Sequence, residues 1–282
     1  MKPGRRSSAV PSGNRGEAEP DSLRPPYSAY ASALLRRAAA GRLAALATNL
    51  QLEIVPQPDD MTCGPTCLHA VYAYWDDPIG LDRLLAEVRM LPAGGTLDVF
   101  LANHALARGY EVTIFTYNLH VFDPSWFPAG ADALGERLRR QREVKRDSRL
   151  QAATAGYLRF LELGGQVRYE DLTTSLIRRY LKKGVPIMTG LSATYLYRSA
   201  REIPDTMAAD DIRGEPCGHF VVLSGYDRRT RQVKVADPYR ANPYSTDGYY
   251  PVDIRRLIGA VFLGIATYDA NLLVIRPRGQ RP

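Results

Sequence analysis

The chain has 282 residues, of which 45% are hydrophobic and 24% charged, a composition typical of a globular protein that buries a sizeable core. Much of its formal net charge of +7 lies in the first fifty residues without any base-reading or stacking motif, so nucleic-acid binding is not expected. Three cysteines are too few for a disulfide scaffold, and no apolar run suits a membrane span or a secretory signal; together these features predict a cytoplasmic protein.

The composition divides the chain into three parts. Residues 1–26 are rich in Pro, Gly, Ser and charge without apolar periodicity, which predicts a flexible basic tail. Residues 27–50 are rich in Ala and Leu and predict an N-terminal helical arm. Residues 51–282 are predicted to form the domain that carries the chemistry, beginning with a short apolar strand over 52–55.

The first half of this domain is predicted to be mainly helical. Apolar residues at helical spacing, with start and stop signals, predict helices over 63–75, 81–88 and 96–109, the last with Thr96 as its N-cap. A charged stretch over 131–162 and a segment over 171–183 predict further helices.

The second half is predicted to be mainly strands. They are expected over 185–191, 218–226, 232–237 and 271–275, in addition to an earlier strand over 110–117 and a short helix over 252–258. Helices followed by antiparallel strands predict an α+β fold, in which an N-terminal helical layer packs on a C-terminal antiparallel β-sheet.

Cys63 is the first candidate for chemistry because it lies at the first turn of a predicted helix and is followed by Gly64-Pro65. Free backbone N–H groups and the positive end of the helix dipole stabilise a thiolate at such a position. The same N–H groups can hold an oxyanion, and the side chain of Gln57, six residues upstream, could supply a second donor. The alternative for Cys63 alone is a small buried hydrophobic residue.

A nucleophilic cysteine requires a base, and the chain contains four histidines. His69 lies on the helix that begins at Cys63 but is rotated to roughly the opposite side. His104 falls in an apolar helix and His120 in an irregular segment, and neither is predicted to have a carboxylate arranged to hold it. His219 remains as the candidate base.

His219 is predicted to have a carboxylate partner. It lies on a strand that a polar turn connects to a returning strand ending at Asp237. A reversal centred near Arg228 places Asp237 opposite His219 on the same face of an antiparallel pair, within hydrogen-bonding distance. Such a carboxylate orients the imidazole and stabilises its charged form. The alternative for Asp237-Pro238 is a simple turn.

These residues resemble the papain-like cysteine peptidases, and among them the bacterial peptidases of the double-glycine leader, bacteriocin-processing type. The motifs are Gln57 with Cys63-Gly64-Pro65, the run 218–222 around His219, and Asp237-Pro238, in the chain order of that family. The resemblance implies a papain-like fold, hydrolysis of a peptide or protein substrate by a thiol protease, and no cofactor.

Two other functions remain open. Cys63, Cys67, Cys217 and His219 together could form a Cys3His zinc site in a structural protein. The same fold could also resolve an acyl-enzyme with an amine, as an acyltransferase or a transglutaminase-like enzyme does.

The loop over 192–216 is predicted to form one wall of the cleft. It connects two strands next to His219 and carries Tyr195, Tyr197, Arg198 and Arg201. Loops on a rigid scaffold commonly determine specificity, so this segment is expected to contact the substrate.

Overall fold

A computed structural model describes residues 47–92, 94–204 and 206–279. The predicted tail 1–26 and most of the predicted arm 27–50 lie outside the described residues. The end of the arm is described, and there Ala47–Asn49 forms a strand, β1, so the helix prediction is wrong for these residues. The described residues contain no helix that is both long and apolar enough to cross a membrane.

The helices of the described residues account for most of the predicted helical segments. They are α1 (Cys63–Tyr74), α2 (Leu81–Glu87), α3 (Asp98–Ala107), α4 (Gly130–Val144), α5 (Ser148–Glu162), α6 (Thr174–Leu181), α7 (Ala193–Tyr197) and α8 (Ile254–Leu263). Two short 3-10 helices, Pro124–Ala129 and Gly264–Thr267, lie between them and the strands.

The remaining strands form one sheet with β1. They are β2 (Tyr110–Thr116), β3 (Gln166–Arg168), β4 (Ile187–Ser192), β5 (Gly218–Asp227), β6 (Gln232–Ala236), β7 (Tyr249–Asp253) and β8 (Asn271–Pro277). The order across the sheet is β3-β2-β8-β4-β5-β6-β7, and β1 pairs with β5. All pairs are antiparallel except β2 with β3, which confirms the predicted antiparallel sheet.

The sheet is covered on both faces, because alternate residues of a strand point to opposite sides. Phe220 and Val222 of β5 belong to a core shared with α1, α3 and α5. Val221 and Leu223 belong to a second core shared with α6 and α8. The predicted α+β class and helical layer are confirmed, and the second helical layer adds to them.

Residues 52–55 do not form the predicted strand. Leu52 and Ile54 are buried and alternate with exposed neighbours, as the apolar pattern indicated. Their backbone pairs with a side chain instead of a strand: the Tyr249 hydroxyl donates to the Leu52 carbonyl and accepts from the Ile54 N–H, at 3.0 and 2.8 Å. The segment is therefore extended, but its backbone is held by this tyrosine side chain and not by hydrogen bonds to a neighbouring strand.

Helix boundaries differ from the sequence prediction at three places. Thr96 is not an N-cap, because its hydroxyl donates to the Arg89 carbonyl and α3 begins at Asp98. The stretch 131–162 is two helices, since Asp147 accepts from the Leu150 N–H and caps a new helix. The helix expected over 252–258 begins at Ile254, and the residues before it form β7. The short β3 and α7 were not predicted.

Candidate active site

Cys63 is the first residue of α1, as the sequence predicted, and its side chain is partly exposed. The N-cap residue Thr62 makes no side-chain capping bond, because its hydroxyl donates to the Asp59 carbonyl. The first N–H groups of a helix have no partner within the helix. The backbone at Cys63 is thus free to donate to a negative charge.

Close packing fixes the start of α1 against β5. A Cβ atom on Gly64 would lie 2.7 Å from the Cγ2 of Thr96 and 3.3 Å from the ring of Phe220, so a side chain at this position would push the helix away. One turn later the Cys67 thiol donates to the Phe220 carbonyl at 3.3 Å. These contacts place Cys63 beside His219, the second residue of β5.

His219 connects the other two members of the arrangement. Its Nε2 lies 2.8 Å from the Oδ1 of Asp237. The Cys63 side chain lies near enough to His219 to affect the pKa of the imidazole, and both residues line the same cavity. Because Asp237 occupies Nε2, Nδ1 is the ring nitrogen that remains for the thiol. Burial lowers the pKa of His219, but the Asp237 charge, its hydrogen bond and Cys63 outweigh burial and raise that pKa to about 10.

The pairing of His219 with Asp237 is as predicted, but the predicted register is wrong. The ladder between β5 and β6 ends with Val222 opposite Ala236, so its continuation places Asp237 beside Val221. The reversal spans residues 228–231 and is centred later than predicted, and a bulge between Leu223 and Gly225 shifts the pairing again. The two side chains meet diagonally.

Four donors hold the Asp237 carboxylate, which is fully buried. Oδ1 accepts from His219 and from the Tyr239 N–H at 2.9 Å, and Oδ2 accepts from the hydroxyls of Tyr197 and Tyr250, each at 2.5 Å. Burial raises the pKa of Asp237, but the His219 charge and these side-chain hydrogen bonds outweigh it and lower the pKa. The tyrosines come from a loop helix and a strand with no spacing signal, so sequence reasoning missed them.

Gln57 lies near this group without touching Cys63 in the described structure. Its backbone N–H donates to the Pro238 carbonyl at 3.0 Å, and its side-chain Nε2 donates to the Asp59 carbonyl at 2.8 Å. Its Oε1 is buried without a partner. The predicted oxyanion donor is therefore engaged with its own loop, and one N–H of the amide remains for another acceptor.

Two neighbouring cavities open on this group. The Cys63 cavity, of about 260 Å³, is lined by Cys63, Arg149, Thr267, Asp269 and fourteen other described residues, including Glu202, Glu215 and Pro216 of the 192–216 loop. The Gln57 cavity, of about 410 Å³, is lined by Gln57, Tyr197, Arg198, Tyr239 and others. His219, Gly218, Cys217, Asp60, Glu202 and Met207 border both.

The 192–216 loop therefore forms a wall of the cleft, as predicted. Tyr197 and Arg198 line the Gln57 cavity. Tyr195 and Arg201 do not line either one: Tyr195 lies under the guanidinium of Arg256, and Arg201 donates to the Asp211 carbonyl. Contact of this loop with substrate remains a prediction.

The other histidines are held elsewhere. Burial lowers the pKa of His69, and its Nδ1 has no partner among the described residues. His104 donates from Nε2 to the Glu87 carboxylate at 3.0 Å, and its Nδ1 lies 2.8 Å from the Tyr72 hydroxyl, so the prediction that it has no carboxylate is wrong. His120 stacks on Tyr268. No contact links these three to the Cys63 thiol.

The zinc alternative finds no assembled ligand set. In the part of the chain that the structure describes, no three Cys, His, Asp or Glu side chains are grouped to hold a metal ion. Cys67 donates to a backbone carbonyl, and Cys217 donates to the Gly218 carbonyl at 3.4 Å. Burial raises the pKa of both thiols, well above the usual value for Cys67 and to about 12 for Cys217, where Glu202 adds to the effect.

Comparison with known families gives one match. Residues 147–258 match the sequence model of the Peptidase_C39 like family. The chain is similar to this peptidase family. The similarity confirms the resemblance that the motifs indicated. The Peptidase_C39 like match includes His219 and Asp237 but begins after Gln57 and Cys63, so the placement of these two residues rests on the geometry described above.

Solved structures that align with this chain include three peptidases. The double glycine motif protease from an AMS/PCAT transporter, in complex with its leader peptide, is 12% identical and covers 82% of this chain and 94% of its own, with a TM-score of 0.39. A putative C39-like peptidase from Bacillus anthracis is 15% identical (82% and 98%, TM-score 0.40). Xylellain, a cysteine protease from Xylella fastidiosa, is 15% identical (82% and 86%, TM-score 0.39). No curated protein matches the chain.

Proposed function

We propose that this protein is a cysteine hydrolase that cleaves a peptide or amide bond through a thioester acyl-enzyme on Cys63. The observation that carries the proposal is the hydrogen-bonded pair of His219 and Asp237 beside Cys63, with Cys63 and His219 lining one open cavity. A nucleophile, a base and a group that orients the base are the parts that acyl transfer requires. The similarity to the Peptidase_C39 like family supports a peptide or protein substrate.

In the first half of the proposed reaction, the Cys63 thiol gives its proton to Nδ1 of His219, and the sulfur attacks the substrate carbonyl carbon and forms a C–S bond. The electron pair of the C=O bond moves to the oxygen, giving a tetrahedral oxyanion. The oxyanion then re-forms the C=O bond, the C–N bond breaks, and His219, as imidazolium, donates its Nδ1 proton to the leaving nitrogen. The products are a free amine and a thioester on Cys63.

The oxyanion is proposed to be held by the Cys63 backbone N–H and by the Gln57 side-chain amide. The first lies at a helix N-terminus without a side-chain cap. The second requires the amide to direct one N–H toward the Cys63 cavity from its present place on the wall of the adjoining cavity.

In the second half, His219 takes a proton from a water molecule, whose oxygen attacks the thioester carbon. The C–S bond breaks, the acid product leaves, and Cys63 is regenerated as a thiolate beside His219, which holds the proton taken from water. Asp237 keeps Nε2 protonated and the ring oriented through both halves.

The experiment that tests the proposal is cysteine-specific alkylation combined with turnover. Iodoacetamide at about pH 6 is expected to label Cys63 far faster than Cys67 or Cys217, because an adjacent imidazolium stabilises a thiolate and burial raises the pKa of the other two thiols. Peptide mass spectrometry identifies the labelled residue. Labelling and loss of activity should proceed at the same rate.

The matching variants separate chemistry from folding. Cys63→Ala is expected to abolish cleavage of a peptide library, whereas Cys67→Ser should lower stability and retain turnover per folded molecule. Equal, slow labelling of all three cysteines, or turnover by Cys63→Ala, would show that Cys63 is not the nucleophile. Release of amide products on addition of an amine would instead favour the acyltransferase or transglutaminase-like alternative.

A further inference from the structure

The Cys63 cavity contains a buried carboxyl group that the proposed reaction does not use. Asp269 lines this cavity, and the residue is 5% exposed. Its Oδ2 accepts from the Thr267 hydroxyl at 2.7 Å. Among the described residues, none donates a hydrogen bond to Oδ1. This oxygen is free to accept a donor that enters the cavity.

The sheet leaves space for this carboxyl group at two glycines. A Cβ atom on Gly218 would lie 2.2 Å from the Oδ2 of Asp269 and 2.6 Å from the Oγ1 of Thr267. A Cβ atom on Gly190, on the adjacent strand, would lie 2.7 Å from the Cβ of Asp269. Any larger residue at either glycine would displace the carboxyl group. Asp269 is thereby held against the residue that precedes His219.

The charges that line the cavity are mainly negative. Asp60, Glu202 and Glu215 line it together with Asp269, and the cationic groups among the described lining residues are Arg149 and His219. Arg149 is the guanidinium in the lining, but its Nη2 donates to the Thr267 carbonyl at 2.7 Å and its Nε is buried without a partner. Arg149 forms no ion pair with Asp269 within 4.0 Å. The free carboxylate oxygen therefore favours a cationic donor from outside the protein.

We propose that Asp269 is a specificity-determining residue that binds the positively charged side chain of a Lys or Arg residue flanking the scissile bond of the substrate. The inference rests on the proposed function, because it names the substrate class of the same site. It follows from one carboxylate oxygen left without a donor in a cavity that also contains the nucleophile.

The burial of Asp269 should make the site discriminate strongly between cationic, neutral and acidic side chains of the substrate. Burial raises the pKa of Asp269 to about 7, against the Thr267 hydrogen bond and the charges of Arg149 and His219, which lower it. A cationic side chain stabilises the ionised carboxylate and supplies its missing donor. A neutral side chain leaves the carboxyl group unpaired, and an acidic side chain is repelled.

The test uses matched peptides that differ at one position. Lys, norleucine and Glu are placed in turn at each residue flanking the cleaved bond, and kcat/KM is measured for each peptide. At one position the Lys peptide is expected to exceed the norleucine peptide by about tenfold or more, the scale of a partly buried charge pair. In Asp269→Asn the ratio should fall to about one, since the amide keeps the shape without the charge.

Asp98→Asn is the matched control. Asp98 is equally buried, at 3% exposure, and burial likewise raises its pKa to about 7. It accepts from the Tyr157 hydroxyl at 3.0 Å and does not line the Cys63 cavity. The Asp98→Asn variant tests the cost of removing a buried charge from the same region and should keep the Lys preference.

Binding to the Cys63→Ala variant, followed by fluorescence anisotropy, separates this inference from the proposed function. A Lys preference in binding that disappears in Cys63→Ala/Asp269→Asn supports the inference even if the wild-type protein cleaves no peptide, an outcome that would refute the hydrolase. Cleavage with equal kcat/KM for Lys and norleucine, or a preference that survives Asp269→Asn, overturns the inference and leaves the hydrolase intact.

Discussion

At the scale of single residues, the donors around Asp237 explain how the candidate base is held. Two donors converge on each carboxylate oxygen, and one of the four is the His219 ring. A carboxylate with all its main acceptor directions used has little freedom to rotate. The His219 ring is therefore oriented before substrate binds, which lowers the reorganisation that the reaction requires.

Tyr197→Phe is predicted to weaken catalysis through Asp237 without touching the nucleophile. Loss of one hydrogen bond to a charged group should lower kcat/KM by about tenfold. Because the Tyr197 hydrogen bond contributes to the low pKa of Asp237, that pKa should rise and the acid limb of the pH-rate profile should move to higher pH. The profile is measured with one peptide substrate between pH 4 and pH 9.

Tyr195→Phe is the control for this prediction. Tyr195 lies on the same short helix and is 40% exposed, and its side chain lies against Arg256, away from Asp237. Its hydroxyl has no contact with Asp237, so the variant should leave both the rate and the pH profile unchanged. A similar change in both variants would show that the effect comes from the helix and not from the hydrogen bond.

Gln57→Ala and Asp237→Ala are predicted to give different signatures. Gln57 is proposed to stabilise charge that develops in the transition state, so its loss should lower kcat by about a hundredfold, near 3 kcal/mol, with KM little changed. Thiol alkylation should survive. Asp237→Ala should lower both turnover and alkylation of Cys63 at about pH 6, because His219 loses its orienting charge.

Asp237→Asn offers the milder comparison, because an amide oxygen can still accept the imidazole N–H. It is expected to retain more turnover than Asp237→Ala. Normal acylation in Gln57→Ala would remove Gln57 from the oxyanion site. Normal activity and alkylation in Asp237→Ala would remove Asp237 from the proposed mechanism.

At the scale of elements, the β5–β6 hairpin shows which predictions survive an error in register. The later turn shifts the pairing in one direction, and the bulge shifts it back by one residue. The net displacement from the predicted pairing is two residues. An even displacement keeps every side chain on its original face, whereas an odd one would reverse them. The face of His219 and Asp237 follows from the alternating pattern and was predictable, but the diagonal contact was not.

Long-range side-chain contacts explain most of what the sequence could not predict. The extended segment at Leu52 depends on a tyrosine hydroxyl 197 residues away. Asp269, which lines the Cys63 cavity, is brought to the site by β8 pairing with β4 at the centre of the sheet. Local propensity and periodicity carry no information on such pairs. Cys63, in contrast, is placed by a local signal, the start of a helix.

The packing of α5 on α3 gives a prediction at this scale. A Cβ atom on Gly156 would lie 2.6 Å from Val99 and 2.9 Å from Phe100, so Gly156→Ala should separate the helices and lower the free energy of unfolding by about 1–3 kcal/mol. Gly135 in α4 is the control. The atom nearest to its added Cβ is 3.8 Å away, on Leu161, so Gly135→Ala should stabilise by about 0.5–1 kcal/mol.

Urea denaturation of both alanine variants measures these effects. The two substitutions add the same methyl group to a helix interior and differ in the space around it. Destabilisation by both, or by neither, would show that close approach of α5 to α3 does not require a glycine.

At the scale of the whole molecule, the candidate site joins one helical layer to the sheet. Cys63 comes from α1, which packs in the first core, and His219 and Asp237 come from β5 and the end of β6. The second core, on the opposite face, supports β5 through Val221 and Leu223. The geometry at Cys63 therefore depends on both cores, and loss of either should disturb the site before the fold is lost.

The buried pair of His219 and Asp237 is predicted to make stability depend on pH. The pKa of His219 is raised in the folded protein. Its contribution to the free energy of unfolding is therefore complete below about pH 6.5, the pKa of histidine in the unfolded chain, and is lost as the pH rises toward about 10. The pKa of Asp237 is lowered, so its contribution is complete above about pH 3.9 and is lost as the pH falls through the folded value. Between these limits the pair contributes most.

Asp237→Asn should therefore destabilise the protein most between about pH 4 and pH 6.5, by about 3 kcal/mol, and progressively less as the pH approaches 10. The free energy of unfolding is measured by urea denaturation across this range. Glu87→Gln serves as the control, since Glu87 pairs with His104 at 3.0 Å from an exposed position where ion pairs contribute little. A loss in Asp237→Asn that is the same at pH 5 and pH 10 would contradict an ionised pair, because a neutral hydrogen bond between the two side chains would not be lost as His219 titrates.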